Sequence, residues 1–275
     1  MQNIFRIVII VPHGYKHSMC FTEVAFLLKN SITDCGFSCD IAINDMSRDR
    51  INILLGYHLI QFGNYLSNIK YIPYQLEQLS SQEFNISDNI KSILANAYDV
   101  WDYSLENIKY LEKIGIKAKY LPIGYSPYLE MIPKKQLRDI DVLFFGSVVD
   151  RREKILKRLK EMGLKVHSVF GIYGKERDEF ISRSKAVINI HFYSSKIFEA
   201  VRISYLLNNA CFVISEESEA YCYPKVNLTF SSYESLAQKC CDLLKSEEKI
   251  NEIANKNYLE FKENYPMKEF IKKVL

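Results

Sequence analysis

Long hydrophobic runs are missing from this sequence. A helix that crosses a membrane needs about 20 consecutive apolar residues, and no segment approaches that length. The apolar segment near the start, IFRIVIIVP, stops at Pro12 and does not read as a signal peptide. The sequence therefore predicts a soluble, cytoplasmic protein without a transmembrane segment. It leaves a peripheral contact with a membrane open.

Paired cysteines are also missing. The seven cysteines are odd in number, and none forms a CxxC pair that a second pair follows downstream. Neither a disulfide framework nor a structural zinc site is indicated. We expect each cysteine to act as a small hydrophobic residue in a reducing compartment, and we expect no metal.

An excess of charge of one sign is absent as well. The 36 basic and 33 acidic residues leave a net charge of only +3, whereas binding to nucleic acid usually needs a concentrated basic face. We therefore expect no nucleic-acid partner. With 275 residues, of which 48% are hydrophobic, the chain can form one large domain or two medium ones.

Strands and helices alternate along the chain. Residues 4–11 are almost entirely apolar and predict a strand, and loop 12–18 leads into a helical pattern. The alternation continues to residue 125, pauses at the proline-containing segment 126–140, and restarts with the strand DVLFFGS. This pattern indicates an α/β fold with parallel sheets. We assign residues 1–130 and 138–275 to two domains, and we expect the last helices to pack back on the first domain.

Polar residues follow several predicted strands, where parallel sheets bind their ligands. In the first half, the loop after the first strand contains His13, Gly14 and Tyr15. Gly14 lets backbone amides approach an oxyanion, and His13 can donate or accept a proton. A loop histidine can equally be solvated and have no further role.

In the second half, Gly146 and Ser147 follow the VLFF strand, and Arg151 begins the next helix. A diphosphate can be bound by bare backbone amides, which have no hydrogen-bond partner, by the N-terminus of a helix and by the guanidinium groups of arginines. A tight turn before a solvated basic helix would look the same.

His191 ends the INIH strand, and Glu199 and Arg202 lie further on in a segment that we predict to be helical from Ser194 or Ser195. The prediction places Glu199 about one turn into that helix. Glu199 and Arg202 could form an exposed ion pair. The apolar residues around them favour a ligand-binding role instead.

Three segments in this order resemble the C-terminal nucleotide-sugar domain of GT-B glycosyltransferases of the group 1 type. They are VLFFGS, INIH and KIFEAVRISYLLNNACFVISE, and they look closest to the branch that includes spore-maturation-like proteins. The segment DVWDYSLENIKYLEKIGIKAKYLPIGYSP resembles the end of the N-terminal domain of such enzymes. Together these segments lie within residues 99–216, which is somewhat under half of the chain.

The resemblance implies two facing Rossmann-like domains with a cleft between them, the donor on the C-terminal domain and the acceptor on the N-terminal one. It implies that Glu199 binds the donor ribose and that Gly146 lies against the phosphates. It also implies that Arg151 and Arg202 neutralise the leaving diphosphate without a metal. The full set that we predict to bind the donor is Gly146, Ser147, Arg151, His191, Lys196, Glu199 and Arg202.

The sequence departs from that family at one position. Many retaining members carry two glutamates separated by seven residues, and His191 stands where the first is expected. Retention or inversion is therefore left open. If the reaction inverts, His13, Glu23 or Glu77 is the candidate base, and we place Gly14, Tyr15 and Glu77 on the acceptor side.

The leading hypothesis is a glycosyltransferase of polysaccharide biosynthesis. It would move a hexose-like sugar from a nucleotide-diphosphate donor to a hydroxyl of a glycan, a lipid-linked glycan or another acceptor, with no cofactor. A sugar-nucleotide epimerase can share the two-domain plan. A non-catalytic glycan-binding or assembly protein on the same scaffold is the third alternative.

Overall fold

The structure is a computed structural model that describes residues 4–61, 66–79, 86–135, 137–193 and 196–275. The chain divides into two compact units. The N-terminal unit comprises Met1–Tyr128 and Pro266–Leu275, and the C-terminal unit comprises Leu129–Tyr265. The last ten residues thus belong to the first unit.

The N-terminal unit is built on a parallel sheet of six strands, β1 to β6, in the order β2-β1-β3-β4-β5-β6. The strands are β1 (Ile4–Ile9), β2 (Ser38–Ile43), β3 (Ile51–Leu55), β4 (Tyr71–Gln75), β5 (Trp101–Asp102) and β6 (Lys119–Tyr120). Every residue of β3 and β4 is buried. Such burial on both faces is expected for central strands of a parallel sheet.

In the described part of this unit, the α-helices are α1 (Thr22–Asp34), α2 (Asp88–Ala95), α3 (Leu105–Lys113) and α9 (Met267–Val274). Ser87 and Ser104 cap α2 and α3, because each hydroxyl accepts a hydrogen bond from a backbone amide of the first turn. Helix α9 packs against α1 and buries Met267 and Ile271 completely.

The C-terminal unit contains a parallel sheet of five strands in the order β11-β10-β9-β7-β8. The strands are β7 (Ile140–Phe145), β8 (Val166–Val169), β9 (Ser184–Asn189), β10 (Val213–Glu216) and β11 (Thr229–Ser231). The helices are α4 (Asp150–Glu161), α5 (Gly174–Ser182), α6 (Ala200–Asn208), α7 (Leu236–Leu243) and α8 (Glu247–Asn264). Phe144, Ile188 and Ile214 pack under Leu159 and Leu236 in one apolar core.

Helix α6 begins later than the sequence predicts. Its first residue is Ala200, so Glu199 lies at the N-cap position and not one turn into the helix. The backbone before it is bonded elsewhere, because the Glu219 amide donates to the Lys196 carbonyl at 2.8 Å and the Phe198 amide donates to the Glu219 carbonyl at 3.1 Å. Those bonds hold residues 196–198 out of the helix. The predicted caps, Ser194 and Ser195, lie outside the described residues.

Each sheet has one point at which its strand order reverses. In the N-terminal unit the order reverses between β1 and β3, and in the C-terminal unit between β7 and β9. Parallel sheets bind ligands beyond the carboxyl ends of the strands at such a point. In the part of the chain that the structure describes, no helix is long and apolar enough to cross a membrane.

Candidate functional site

Four cations and two carboxylates meet at the carboxyl ends of β7, β9 and β10. We call this set the basic cluster. It consists of Arg151, Arg152, Lys196, Arg202, Glu199 and Glu216. The topology explains the grouping, because α4 starts just after β7 and α6 follows β9, so their first turns carry the arginines to the strand ends.

Glu216 is the fully buried carboxylate of the basic cluster. Its two oxygens accept hydrogen bonds from the Arg151 guanidinium at 2.7 and 2.8 Å, and the His191 amide donates to one of them at 3.1 Å. The Lys196 Nζ lies 3.5 Å away. Burial acts to raise the pKa of Glu216, but the bonds and charge of Arg151 outweigh it and lower the pKa. Glu216 is therefore ionised and holds two cations in place.

Glu199 holds the other two cations. One oxygen lies 3.4 Å from the Arg152 guanidinium, and the other accepts a hydrogen bond from Arg202. Arg202 also donates to the Asn189 side-chain oxygen at 2.6 Å. The side chains of Glu199 and Arg202 are only 14% and 17% exposed. Their pairing is thus part of a half-buried network, and the exposed ion pair that the sequence left open is not present.

Arg152 is almost completely buried. Its guanidinium donates to the Ile190 carbonyl at 2.8 Å and to the Ser147 carbonyl at 3.0 Å. Burial lowers the pKa of Arg152 to about 10, so the side chain still carries a charge at neutral pH. Ser147 thus contacts the cluster through its carbonyl group.

Gly146 allows the arginines to approach the end of β7. Its φ is +139°, and a Cβ at this position would lie 3.1 Å from the Arg202 guanidinium and 3.7 Å from that of Arg152. A side chain there would both strain the backbone and displace Arg202. The expectation of a bare amide is wrong for Gly146, because its N–H donates to the Val169 carbonyl at 2.9 Å.

His191 lies beside the cluster but does not add a charge to it. Its Nε2 lies 2.9 Å from the Ser218 hydroxyl, and its Nδ1 lies 3.7 Å from Glu199. Within the described residues, Nδ1 has no hydrogen-bond partner. Burial lowers the pKa of His191, so the imidazole is neutral at neutral pH, and its side chain is only 1% exposed.

The basic cluster has a formal surplus of two positive charges, from four cations and two carboxylates. The side chains of Lys196 and Arg151 are 42% and 29% exposed, so part of this charge faces solvent. Cations that are held by buried carboxylates are well suited to bind a dianion, because little order is lost on binding.

A second group of polar side chains follows the strands of the N-terminal unit, near the reversal of strand order between β1 and β3. His58 follows β3 and Glu77 follows β4, and the His58 Nε2 lies 3.8 Å from the Glu77 carboxylate. Burial raises the pKa of Glu77 and lowers that of His58 to about 4. Burial raises the pKa of Tyr15, and electrostatic interactions with Cys20 and Glu77 add to that effect. The loops after β3 and β4 thus meet through His58 and Glu77, and Tyr15 lies near enough to Glu77 for its charge to act on the phenol.

The remaining predicted residues of this unit differ in exposure. His13 and Gly14 are exposed on the loop after β1, and Gly14 has a φ of +71°. Glu23 is the second residue of α1 and is buried, with 8% exposure. Exposure favours His13 over Glu23 as a group that can reach a ligand.

Several residues of these two groups lie outside the predicted set of site residues. Glu216 and His58 both follow buried apolar segments, the same signal that singled out His191. Arg152 adjoins Arg151 and has the same sequence signal, a cation at the start of the helix that follows Gly146. Asn189 carries no sequence signal, because an asparagine inside a strand is not marked by any motif.

Comparisons with known proteins identify relatives but no named family. No family model matches the chain. Uncharacterized protein L137 of Acanthamoeba polyphaga mimivirus is 31% identical over 193 residues, which are 66% of this chain and 26% of that protein. Uncharacterized protein R358 of the same virus is 30% identical over 188 residues, which are 64% of this chain and 63% of that protein. The chain thus spans about a quarter of the first relative and under two thirds of the second.

Solved structures with the same fold are glycosyltransferases. A trehalose 6-phosphate synthase from Burkholderia multivorans aligns over 100% of this chain and 98% of its own, with a TM-score of 0.62 and 8% identity. S. aureus TarM, in complex with UDP, aligns over 83% of this chain and 55% of its own, with a TM-score of 0.60 and 10% identity. The lipopolysaccharide galactosyltransferase WaaB aligns over the whole of both chains, with a TM-score of 0.53 and 11% identity. The predicted fold class is therefore confirmed: the chain has the α/β fold of GT-B glycosyltransferases, with two parallel-sheet domains.

Proposed function

We propose that the protein is a glycosyltransferase that takes a sugar from a nucleotide-diphosphate donor and transfers it to a hydroxyl group. The acceptor is a glycan, a lipid-linked glycan or another hydroxyl compound, as in polysaccharide biosynthesis. The reaction proceeds without a metal, because cations of the chain neutralise the leaving group. The donor binds to the C-terminal unit and the acceptor to the N-terminal unit.

The observation that carries this proposal is the basic cluster at the strand-order reversal between β7 and β9. A diphosphate that leaves a sugar gains negative charge in the transition state. Cations that are already oriented stabilise that charge without further reorganisation. Arg151 and Lys196, held by Glu216, and Arg202, held by Glu199, are such cations.

The other members of the cluster have supporting roles in this proposal. The Glu199 carboxylate accepts hydrogen bonds from the hydroxyls of the donor ribose in addition to those from its arginine partners. A carboxylate has about four acceptor sites, so it can serve both. Gly146 keeps the end of β7 clear, and Ser147 and His191 supply neutral polar contacts. Two other glycosyltransferases of the same fold, TarM and the pneumococcal O-GlcNAc transferase GtfA, have been solved with UDP.

On the acceptor side, Gly14, Tyr15, His58 and Glu77 surround the hydroxyl compound. The raised pKa of Glu77 suits a group that accepts a proton from a hydroxyl, whereas the lowered pKa of His58 makes it a weak base that can offer only a neutral hydrogen-bonding nitrogen. His13 is the exposed alternative and Glu23 the buried one. Such a base is needed if the transfer inverts the configuration of the sugar, and none is required if the transfer retains it.

A thermal-shift panel of UDP, GDP, CMP and dTDP sugars tests the proposal. A ligand that binds only the folded state raises the melting temperature by mass action, so at least one donor is expected to stabilise the protein. Glu199→Gln keeps the size of the side chain but removes its charge, and it should weaken binding of that donor at least tenfold by calorimetry. Glu263→Gln, an exposed glutamate of α8, is the control and should bind normally.

The same panel separates the alternatives. If no donor stabilises the protein, the proposed transfer is wrong and the non-catalytic alternative is favoured. If a donor binds and is converted when no acceptor is present, an epimerase is favoured. Release of the nucleoside diphosphate that depends on an added acceptor supports transfer.

A further inference from the structure

The C-terminal unit has a pocket at the end of its sheet opposite to the basic cluster. The pocket lies at the amino ends of β9 and β10, between the last turns of α5 and α6 and the first turns of α8. All of its wall residues belong to this one unit. Its volume is about 400 Å³, which is in the range of sites that bind small molecules. Because the basic cluster lies at the carboxyl ends of the strands, this pocket is a separate site.

The buried part of the pocket wall is apolar. Ala186 and Val187 of β9, Phe212 before β10 and Ile181 at the end of α5 line it and are each at most 3% exposed. Ala254 of α8 lines the pocket as well and is 5% exposed. A ligand in this pocket can therefore bury an apolar body against aliphatic and aromatic side chains.

The charged part of the wall is mainly basic. One carboxylate, Glu247, lines the pocket together with four cations, which are Lys134, Lys135, Arg138 and Lys185. Two of these cations pair with carboxylates outside the wall, Lys135 with Glu179 and Lys185 with Asp141. Four cations against three carboxylates leave a surplus of one positive charge. The pocket thus favours a ligand with a single negative charge.

Arg138 is already held in position at this wall. Its guanidinium pairs with Glu247 and donates to the Asn251 side-chain oxygen at 3.0 Å. Both partners belong to the first two turns of α8, and the Arg138 side chain is only 19% exposed. A cation that is held in this way loses little freedom when it binds an anion. A guanidinium can also bind both oxygens of a carboxylate at once.

Lys134 lies near Arg138 across the same part of the pocket. Burial and the charge of Asp178 raise the pKa of the Cys211 thiol to about 12, and the charges of Arg138 and Lys134 act against that rise. Cys211 itself lines the pocket. Both cations therefore lie close to one residue of the wall, where they can act on the same anionic group.

We propose that this pocket binds a small organic carboxylate with an apolar body. The carboxylate lies between Arg138 and Lys134, and the apolar body packs against Val187 and Phe212. The inference does not depend on the proposed function, because the pocket and the basic cluster lie at opposite ends of the sheet.

Calorimetric titration with octanoate tests the proposal. Octanoate carries both parts of the proposed ligand, whereas acetate lacks the apolar body and octanol lacks the charge. Octanoate is expected to bind the unmodified protein, and the other two should each bind about tenfold more weakly or less. The titrations are done at low salt, because dissolved ions screen the exposed Lys134.

Three variants locate the bound octanoate. Lys134→Glu reverses a charge at an exposed position of the pocket and should weaken binding about fivefold or more. Lys160→Glu makes the same change at an exposed position of α4 outside the pocket and should bind normally. Asn255→Phe places a ring in the pocket from an exposed position of α8 and should abolish binding. Because the replaced side chains are exposed, the melting temperatures should stay close to that of the unmodified protein.

The outcomes decide the proposal without reference to the nucleotide panel. It is overturned if octanoate does not bind the unmodified protein, or if Lys134→Glu and Asn255→Phe bind it as tightly as the unmodified protein does. Equal affinities for octanol and octanoate would overturn the recognition of a carboxylate. Loss of octanoate binding in Arg151→Ala would place the ligand in the basic cluster and would also overturn the assignment to this pocket.

Discussion

His58 shows how the environment of a single side chain controls its charge. The side chain is 18% exposed, and burial lowers its pKa to about 4. In the unfolded chain a histidine has a pKa of about 6.5. Between these two values the unfolded state binds a proton that the folded state does not. The stability of the fold must therefore fall as the pH drops from about 6.5 to about 4.

Replacement of His58 by glutamine should remove that part of the pH dependence. Between pH 7 and pH 4, His58→Gln is expected to lose less stability than the unmodified protein, by on the order of 2 to 3 kcal/mol. Urea unfolding at several pH values, followed by the fluorescence of buried Trp101, measures it. His13→Gln, at an exposed position of the same unit, should keep the original dependence. Parallel curves for His58→Gln and the unmodified protein would contradict the burial of this imidazole.

Single residues of the site were predictable from the sequence only in part. Glu199 and Arg202 are three residues apart, so a helical pattern places them on the same face of the helix. Glu216 joins them only because β10 pairs with β9 in the sheet, and strand order cannot be read from one sequence. The same holds for the contact between His58 and Glu77, which depends on the pairing of β3 with β4.

Gly146 lies in the turn between β7 and α4, and a substitution there tests how this turn positions the neighbouring arginines. Gly146→Ala should lower stability by about 1 to 3 kcal/mol, because alanine is strained at a φ of +139°. The Cβ would also displace the Arg202 guanidinium, which lies 3.1 Å from its position. We therefore expect weaker binding of the nucleoside diphosphate in calorimetry as well.

Gly163 is a matched control for that substitution. It has a φ of +87°, and a Cβ there would meet nothing within 4 Å. Gly163→Ala should thus lower the melting temperature but leave the affinity for the nucleoside diphosphate unchanged. Equal affinities of the two variants would show that Gly146 does not act through the arginines.

Most elements could be predicted from local signals, and the exceptions have a physical cause. Ser104 precedes the helical pattern LENIKYLEK, which is a sequence signal for a cap, and it does accept a hydrogen bond from the first turn of α3. The start of α6 was predicted several residues early, because KIFEAVR is apolar and periodic. The hydrogen bonds between residues 196–198 and Glu219 override that local preference. A short stretch of sequence does not reveal pairing with a distant residue of this kind.

At the scale of the whole chain, two α/β halves were predictable because the alternation of strands and helices restarts after residue 140. Helix α9 follows directly on α8 in sequence but belongs to the N-terminal unit, whereas α8 belongs to the C-terminal one. The Met267 amide donates to the Tyr125 carbonyl at 2.8 Å, and Lys119 donates to the Val274 carbonyl at 3.1 Å. These bonds attach both ends of α9 to that unit.

Ile271→Ala tests this path, because Ile271 is fully buried in α9, which packs against α1. Loss of a buried isoleucine leaves a cavity and costs about 2 to 5 kcal/mol. Trp101 lies in the same unit, so its fluorescence should show unfolding at a lower urea concentration. Lys268→Ala changes an exposed residue of the same helix and should shift the midpoint little. If the Trp101 transition is the same in Ile271→Ala as in the unmodified protein, α9 does not stabilise the N-terminal unit. Residues Pro266–Leu275 would then not belong to the N-terminal unit, contrary to the division given above.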